Sequence, residues 1–307
     1  MFKSIMENGV DRKSALNILE DFIDTKLHNY ESKRNYDYGP SAHENVSLLS
    51  PYIRHRIITE EEVIAKAMNK FPLPKIEKYI GNSNFIEEAM KYSALAESKM
   101  FRAALVFASG EVNNNISNKS LRNLSTSIEL MHTYSLIHDD LPSMDNDELR
   151  RGQDSSHIKF GEANAILVGD ALQALSYEII SDDEDLSSNE KVFAIKLLAS
   201  ACGKNGMVYG QFLDIESESK SLDKESIENI HALKTGKLIE CSVMFGQIGN
   251  PKKNVKKVLK SYGKSIGLAF QITDDILEVT SNKETLGKNT NSDQKNHKST
   301  YASILGI

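Results

Sequence analysis

A chain of 307 residues, 40% of them apolar, can bury a sizeable core as one large or two modest domains. Its formal net charge of −6 offers no electrostatic footprint for nucleic acid, so that class of partner is set aside. The first residues lack the apolar core of a secretory signal and no apolar run reaches transmembrane length, which predicts a cytoplasmic protein without stable membrane insertion.

Residues 12 to 32 carry Ala15, Ile18, Leu19, Phe22, Ile23, Leu27 and Tyr30 at helical spacing, which predicts a first helix. A turn-rich stretch, Arg34-Asn35-Tyr36-Asp37-Tyr38-Gly39-Pro40, leads through Leu48 to Arg54 into an acidic helix start at Thr59-Glu60-Glu61-Glu62. The prolines of Phe71-Pro72-Leu73-Pro74 mark a boundary, so residues 1–70 are expected to form a helical extension and residues 71–307 the main domain. There Glu87 to Leu95 is helical in pattern, Glu97-Ser98-Lys99-Met100-Phe101-Arg102-Ala103 supplies two cations, and Asn113 to Ser120 reads as polar loop. Leu130, Met131, Tyr134, Ile137 and Leu141 then recur at spacings of three and four, the pattern of an apolar helix.

That helix delivers a burst of acids and two arginines, Asp139-Asp140-Leu141-Pro142-Ser143-Met144-Asp145-Asn146-Asp147-Glu148-Leu149-Arg150-Arg151-Gly152. Carboxylates this crowded repel one another unless a divalent cation neutralises them, and hard oxygen ligands favour Mg2+. Mg2+ takes one or two carboxylates plus substrate phosphate oxygens, and guanidinium forks grip the same phosphates. Taken alone, an acidic run is more simply a solvated helix end with surface ion pairs.

Downstream, Ser181-Asp182-Asp183-Glu184-Asp185 lacks an apolar face and reads as a solvated loop. Ala194 to Ile215 predicts a long helix interrupted between Gly203 and Gly210, with Gln211 and Asp214 one turn apart beyond the break. Cys202 and Cys241 sit in apolar helical patterns and are expected to be buried free thiols. A second acidic motif follows at Phe270-Gln271-Ile272-Thr273-Asp274-Asp275-Ile276-Leu277-Glu278, where Gln271, Asp274 and Glu278 share a helix face. Its apolar neighbours predict a half-buried helix, where unpaired charge is costly. Two acidic helices facing each other would hold several metal ions, which favours the metal reading of the first motif. Residues 282 to 293 read as polar loop.

The pair of motifs resembles the trans-isoprenyl diphosphate synthases, the polyprenyl synthetase family, and is most similar to its bacterial farnesyl-type members. The first aspartate-rich motif looks like Asp139 to Asp145 with Leu149-Arg150-Arg151-Gly152, the second like Asp274-Asp275-Ile276-Leu277-Glu278, and the likeness covers roughly residues 71 to 305. It implies an all-α isoprenoid-synthase-type bundle around a central cavity. It also implies a Mg2+-dependent condensation of isopentenyl diphosphate with dimethylallyl or geranyl diphosphate, carried out by a homodimer with a trio of ions per site.

By the same resemblance, Asp139, Asp145 and Asp274 bind metal directly, while Asp140, Asp275 and Glu278 assist. Arg150, Lys234 and Lys298 take the allylic diphosphate, with Gln211 and Asp214 supporting it, and Thr235, Gln271 and Lys288 are further substrate-binding residues. Lys99, Arg102, His132 and Arg151 take isopentenyl diphosphate, and Tyr134 and Ser135 form the floor that limits chain length. An aromatic ring at Tyr134 argues for a C15 over a C20 product.

The chain departs from the family's Gly-Gly-Lys-Arg-x-Arg-Pro grip at Glu97, Ser98, Met100 and Ala103, losing glycines that let backbone amides approach a phosphate. Glu278 replaces an aspartate, and relatives are expected to continue with further helices. These departures keep a non-catalytic homologue open as the rival reading. Finally, Asn29-Tyr30-Glu31-Ser32-Lys33-Arg34 and Ser47 to Arg56 are similar to the start of the flavin-binding domain of photolyase and cryptochrome relatives, over about residues 12 to 65. A flavin cradle needs more helical scaffold than this stretch supplies.

Overall fold

The computed structural model describes residues 11–26, 48–59, 62–63, 76–96, 98–113, 115–218, 220 and 222–280, with side chains described as far as residue 276. It divides into two units, Met1–Pro72 with Ser98–Phe101, and Leu73–Glu97 with Arg102–Ile307. Lys288, Lys298 and the Glu278 side chain therefore lie outside the described residues, as do residues 27–32 of the first expected helix.

In the first unit Asp11 caps helix α1 (Arg12–Asp21) by accepting the Ser14 N–H at 2.8 Å, and a π turn at Phe22–Lys26 carries the chain on. A short helix α2 (Ser50–Arg54) opens on Pro51, where a missing N–H does no harm. Ala15, Leu19, Phe22 and Ile23 bury against Leu49, Tyr52 and Ile58. The acidic helix start is a reciprocal cap: Thr59 N–H donates to Glu62 at 2.8 Å and Glu62 N–H donates back to the Thr59 hydroxyl at 3.2 Å.

Among the described residues the second unit is helical apart from one two-stranded hairpin. Its helices are α3 (Ile76–Ile80), α4 (Phe85–Ala94), α5 (Phe101–Gly110, from Arg102 on), α6 (Asn118–Asp139), α7 (Ser156–Phe160), α8 (Glu162–Ser181), α9 (Ser188–Cys202), α10 (Met207–Glu216), α11 (Lys224–His231), α12 (Lys237–Phe245) and α13 (Lys253–Thr280). Helix α6 buries residues on every side, Leu124, Ile128, Leu130 and Met131 completely, as expected of a helix at the centre of a bundle. It packs on α8 at Gly169, where an added Cβ would meet the His138 ring at 2.1 Å. Cys202 and Cys241 are free and buried, as their sequence pattern predicts.

The break between Gly203 and Gly210 is shorter than expected. Helix α9 ends at Cys202 and α10 begins at Met207, so Gly210 lies inside α10. The acidic stretch 181–185 is a larger departure, because Asp183 is buried. It accepts from the Ser120 hydroxyl (2.9 Å), the Asn123 amide (2.8 Å) and the Asp185 and Leu186 N–H groups (both 2.9 Å), while Tyr79 donates to Asn123 at 2.8 Å. This acid ties the α8–α9 turn to the start of α6. Replacing Asp183 with alanine strands four donors and is expected to destabilise the fold by about 3 kcal/mol, read from urea unfolding.

Candidate active site

Helix α6 stops at Asp139 because the chain turns back on itself: Leu141 N–H bonds to the His138 carbonyl at 3.2 Å and Asp145 N–H to the Asp139 carbonyl at 2.9 Å. The fold-back sets Asp145 beside Asp139, with Asn146 in the left-handed region at φ 51°. Burial pushes the Asp139 carboxyl up and Asp145 adds to the rise, while Lys234 and Arg150 pull it down.

Asp140 is 2% exposed and faces away from solvent into Arg150, whose Nε lies 3.0 and 3.1 Å from its two oxygens and whose Nη2 also bonds to it. Asp147 stands 3.6 Å from the same guanidinium. Burial pushes Asp140 up to about 6 even though Arg150 pulls the other way. Burial would lower Arg150, but Asp140 and Asp147 hold it above its usual value. These two acids anchor Arg150.

The anchoring geometry comes from a hairpin, Leu149–Arg150 against Gln153–Asp154, closed by Arg151 and Gly152 at φ 53° and 77°. Two positive φ values at the turn match the right-handed strand twist, and an arginine in the left-handed region carries strain. The turn aims Arg151 inward, with Nη1 3.5 Å from the Ala96 carbonyl. Arg102 is 7% exposed and its Nε lacks a hydrogen-bond partner among the described residues. Burial lowers Arg102 to about 10 against the pull of Glu129. His132 lies in the field of Arg102, Arg151 and Arg150, and burial with those charges drives it well below its usual value, so it is neutral at physiological pH. Arg102, His132 and Arg151 thus lie within one another's electrostatic reach, while Lys99 belongs to the first unit.

On the other side, α11 passes into α12 through a π turn, Ala232–Gly236, a register often found at functional sites. It presents Lys234 between two acids, 2.8 Å from Asp214 and 4.0 Å from Asp139. Burial would lower Lys234, but Asp139 and Asp214 raise it. Glycines let neighbouring helices close on this turn: a Cβ at Gly210 would meet Lys234 N at 2.2 Å, and one at Gly267 would meet Gly236 Cα at 3.0 Å. Thr235 lies in the same turn, and the Gln211 amide lacks a partner at both ends among the described residues.

One turn before Lys234, His231 lies 4.0 Å from Asp275, which also accepts from Gln271 at 3.1 Å. Burial lowers His231 against the pull of Asp275 and Asp214. Gln271 therefore serves Asp275, four residues on, where the shared-face reading set it with Asp274. Asp274 is half buried. Lys234 and His231 join the first acidic motif to the second. Among the described residues no three His, Cys, Asp or Glu side chains form a metal-holding group of their own. Tyr134 is buried with its ring edge-on to His138 at 4.9 Å, and Ser135 donates to the His132 carbonyl at 2.8 Å.

Acids, one buried and two half-buried arginines and a shared lysine on a helical bundle define a protein built to hold a polyanion. The chain belongs to the polyprenyl synthetase family, whose sequence description "Polyprenyl synthetase" matches residues 83–307. It is 46% identical over 226 residues to the farnesyl diphosphate synthase of Escherichia coli (strain K12), covering 72% of this chain and 75% of that one. Over 251 residues it is 39% identical to the farnesyl diphosphate synthase of Haemophilus influenzae, 81% of this chain and 85% of that one. Among solved structures, the geranyltransferase from Helicobacter pylori complexed with magnesium and isoprenyl diphosphate matches with TM-score 0.69 and 33% identity, over 88% of this chain and 86% of that one.

Proposed function

We propose that the chain is a short-chain trans-prenyltransferase that condenses isopentenyl diphosphate with dimethylallyl and then geranyl diphosphate to give farnesyl diphosphate. The observation that carries this reading is Lys234, held between Asp214 and Asp139 while His231, on the same turn, reaches Asp275. Hard carboxylate oxygens at Asp139, Asp145 and Asp274 fit Mg2+, which favours sites with a few carboxylates completed by substrate phosphate. When bound, Mg2+ neutralises the diphosphate so that it leaves with the electron pair of the allylic carbon–oxygen bond. A trio of ions is part of the proposal.

The remaining roles belong to the chain itself. Lys234 balances charge on the departing diphosphate, Arg150 does so from a position fixed by Asp140 and Asp147, and the Gln211 amide, without a partner among the described residues, supplies a further donor. Thr235, Lys288 and Lys298 complete the allylic side. Arg102, neutral His132 and Arg151 hold isopentenyl diphosphate so that its double bond forms the new carbon–carbon bond at the allylic cation, after which a proton is lost. Asp275, with Gln271 and His231, orients the second motif. Residues 12–65 precede the matched region, and we give them no part in this chemistry.

We place the protein in the cytoplasm as a homodimer. Among the described residues no helix is long and apolar enough to cross a membrane. Exposed apolar side chains on α8 (Ile166, Leu167) and α9 (Val192, Phe193) support a surface that a second copy would cover.

The decisive assay feeds labelled isopentenyl diphosphate with either allylic starter, with and without Mg2+, and separates the products by chain length. Farnesyl diphosphate made only with Mg2+ is expected. No incorporation under any of these conditions would sink the reading. In the same assay Tyr134→Ala, which removes a buried ring beneath the first motif, is expected to extend products beyond C15, while Tyr134→Phe keeps C15. Unchanged products from Tyr134→Ala would remove Tyr134 from the floor.

A further inference from the structure

Glu129 has no place in either motif, yet it is a carboxylate 5% exposed in the centre of α6. It accepts the Ala103 N–H, in the first turn of α5, at 2.8 Å. His132 follows one turn later on the same face. Burial raises its carboxyl, and Arg102, the Ala103 N–H and Arg151 pull it back. In return, Glu129 is the carboxylate whose charge supports Arg102, against the opposing charge of Arg151. Its charge likewise supports Arg151 against burial.

Buried guanidiniums need a counter-charge, because an uncompensated one is unstable and like charges push apart. Arg150 has Asp140 and Asp147 for this purpose. Arg102, whose Nε lacks a partner among the described residues, has Glu129 close by, the carboxylate that accepts the N–H of the next residue, Ala103, at 2.8 Å. From this arrangement we propose that Glu129 is a positioning residue for isopentenyl diphosphate: it holds Arg102 and Arg151 convergent, so that both forks meet one incoming diphosphate. This inference rests on the assignment of Arg102, His132 and Arg151 to that substrate.

A net-charge argument runs the other way, since deleting an acid beside an anion site would strengthen attraction. The proposal holds that aim outweighs net charge, because a guanidinium grips phosphate through two parallel bonds that a small rotation breaks. Glu129→Gln separates the two effects. Its amide oxygen can still accept the Ala103 N–H, so a purely structural cap is preserved while the charge is lost.

Steady-state kinetics with each substrate varied in turn test the point, with thermal melts alongside. For Glu129→Gln the KM for isopentenyl diphosphate is expected to rise by about tenfold, with kcat and the KM for geranyl diphosphate within about twofold. Glu129→Asp, which keeps the charge but withdraws it by one methylene, is expected to fall between, and it decides the matter if the glutamine variant does not fold. An unchanged or lowered KM for isopentenyl diphosphate in the variant that folds overturns the role of Glu129 and leaves the prenyltransferase reading standing. Failure of the unsubstituted protein to incorporate isopentenyl diphosphate overturns both.

Discussion

Asp139→Ala is expected to lose about 10^2 to 10^3 in kcat at saturating Mg2+ and substrates, the scale of removing one pre-placed group that stabilises developing charge. Its melting temperature should barely move. The carboxyl sits where burial and Asp145 both disfavour its charge, so the folded state gains nothing by keeping it ionised apart from the attraction of Lys234 and Arg150. Lys234 is not stranded by the change, because Asp214 remains 2.8 Å away. Groups that act on substrate are often held against the interest of stability. Turnover within about threefold of the unsubstituted protein would remove Asp139 from the metal site.

The neighbouring acid should behave in the opposite way. Asp140→Ala leaves the half-buried Arg150 guanidinium with Asp147 at 3.6 Å and the field of Asp139, and removing the buried partner of a charged pair costs about 1 to 3 kcal/mol. On the proposed function, adjacent aspartates of one motif divide the work, Asp139 towards substrate and Asp140 towards the fold. The division follows from helix geometry, since successive residues at the end of α6 point about 100° apart.

Much of this could be read from the chain. The apolar spacing from Leu130 to Leu141 and the acids that follow define α6 and its active end, because periodicity and charge crowding are local properties. What escaped were properties created by packing. Glu129 looks like a stray acid in an apolar helix, and its one signal was its place three residues before His132. Asp183 sits in a run that composition marks as solvated, and only the approach of Ser120 and Asn123 shows otherwise. The π turn at Ala232–Gly236 leaves no trace in a pattern of spacing three and four. Gln271 can face Asp274 or Asp275 equally well by spacing, and Asp275 wins because His231 is on its other side.

Two glycine substitutions separate packing from chemistry. A Cβ at Gly210 would meet Lys234 N at 2.2 Å, Lys234 Cα at 2.6 Å and Leu233 C at 2.8 Å. All three are backbone atoms, so no side chain can swing aside, and either α10 or the π turn must retreat. Retreat lengthens the 2.8 Å bond from Lys234 to Asp214 and moves Lys234 from Asp139. Gly246 is as tightly placed, with Gly110 N and Val106 O both 2.5 Å from the added carbon, but its neighbourhood is a structural clamp. There Asn113 donates to the Gly246 and Ile248 carbonyls at 3.0 and 2.6 Å, and Gln247 donates to the Ser109 carbonyl at 2.6 Å. Each alanine variant is therefore expected to lose about 1 to 3 kcal/mol in urea unfolding. Assayed well below its melting temperature, Gly246→Ala should keep kcat within about twofold, while Gly210→Ala loses about a hundredfold, because a misplacement near 1 Å suffices for that. If both variants kept normal kcat while folded, the seating of Lys234 by Gly210 would not matter to catalysis. The glycine would then be a packing feature like Gly246.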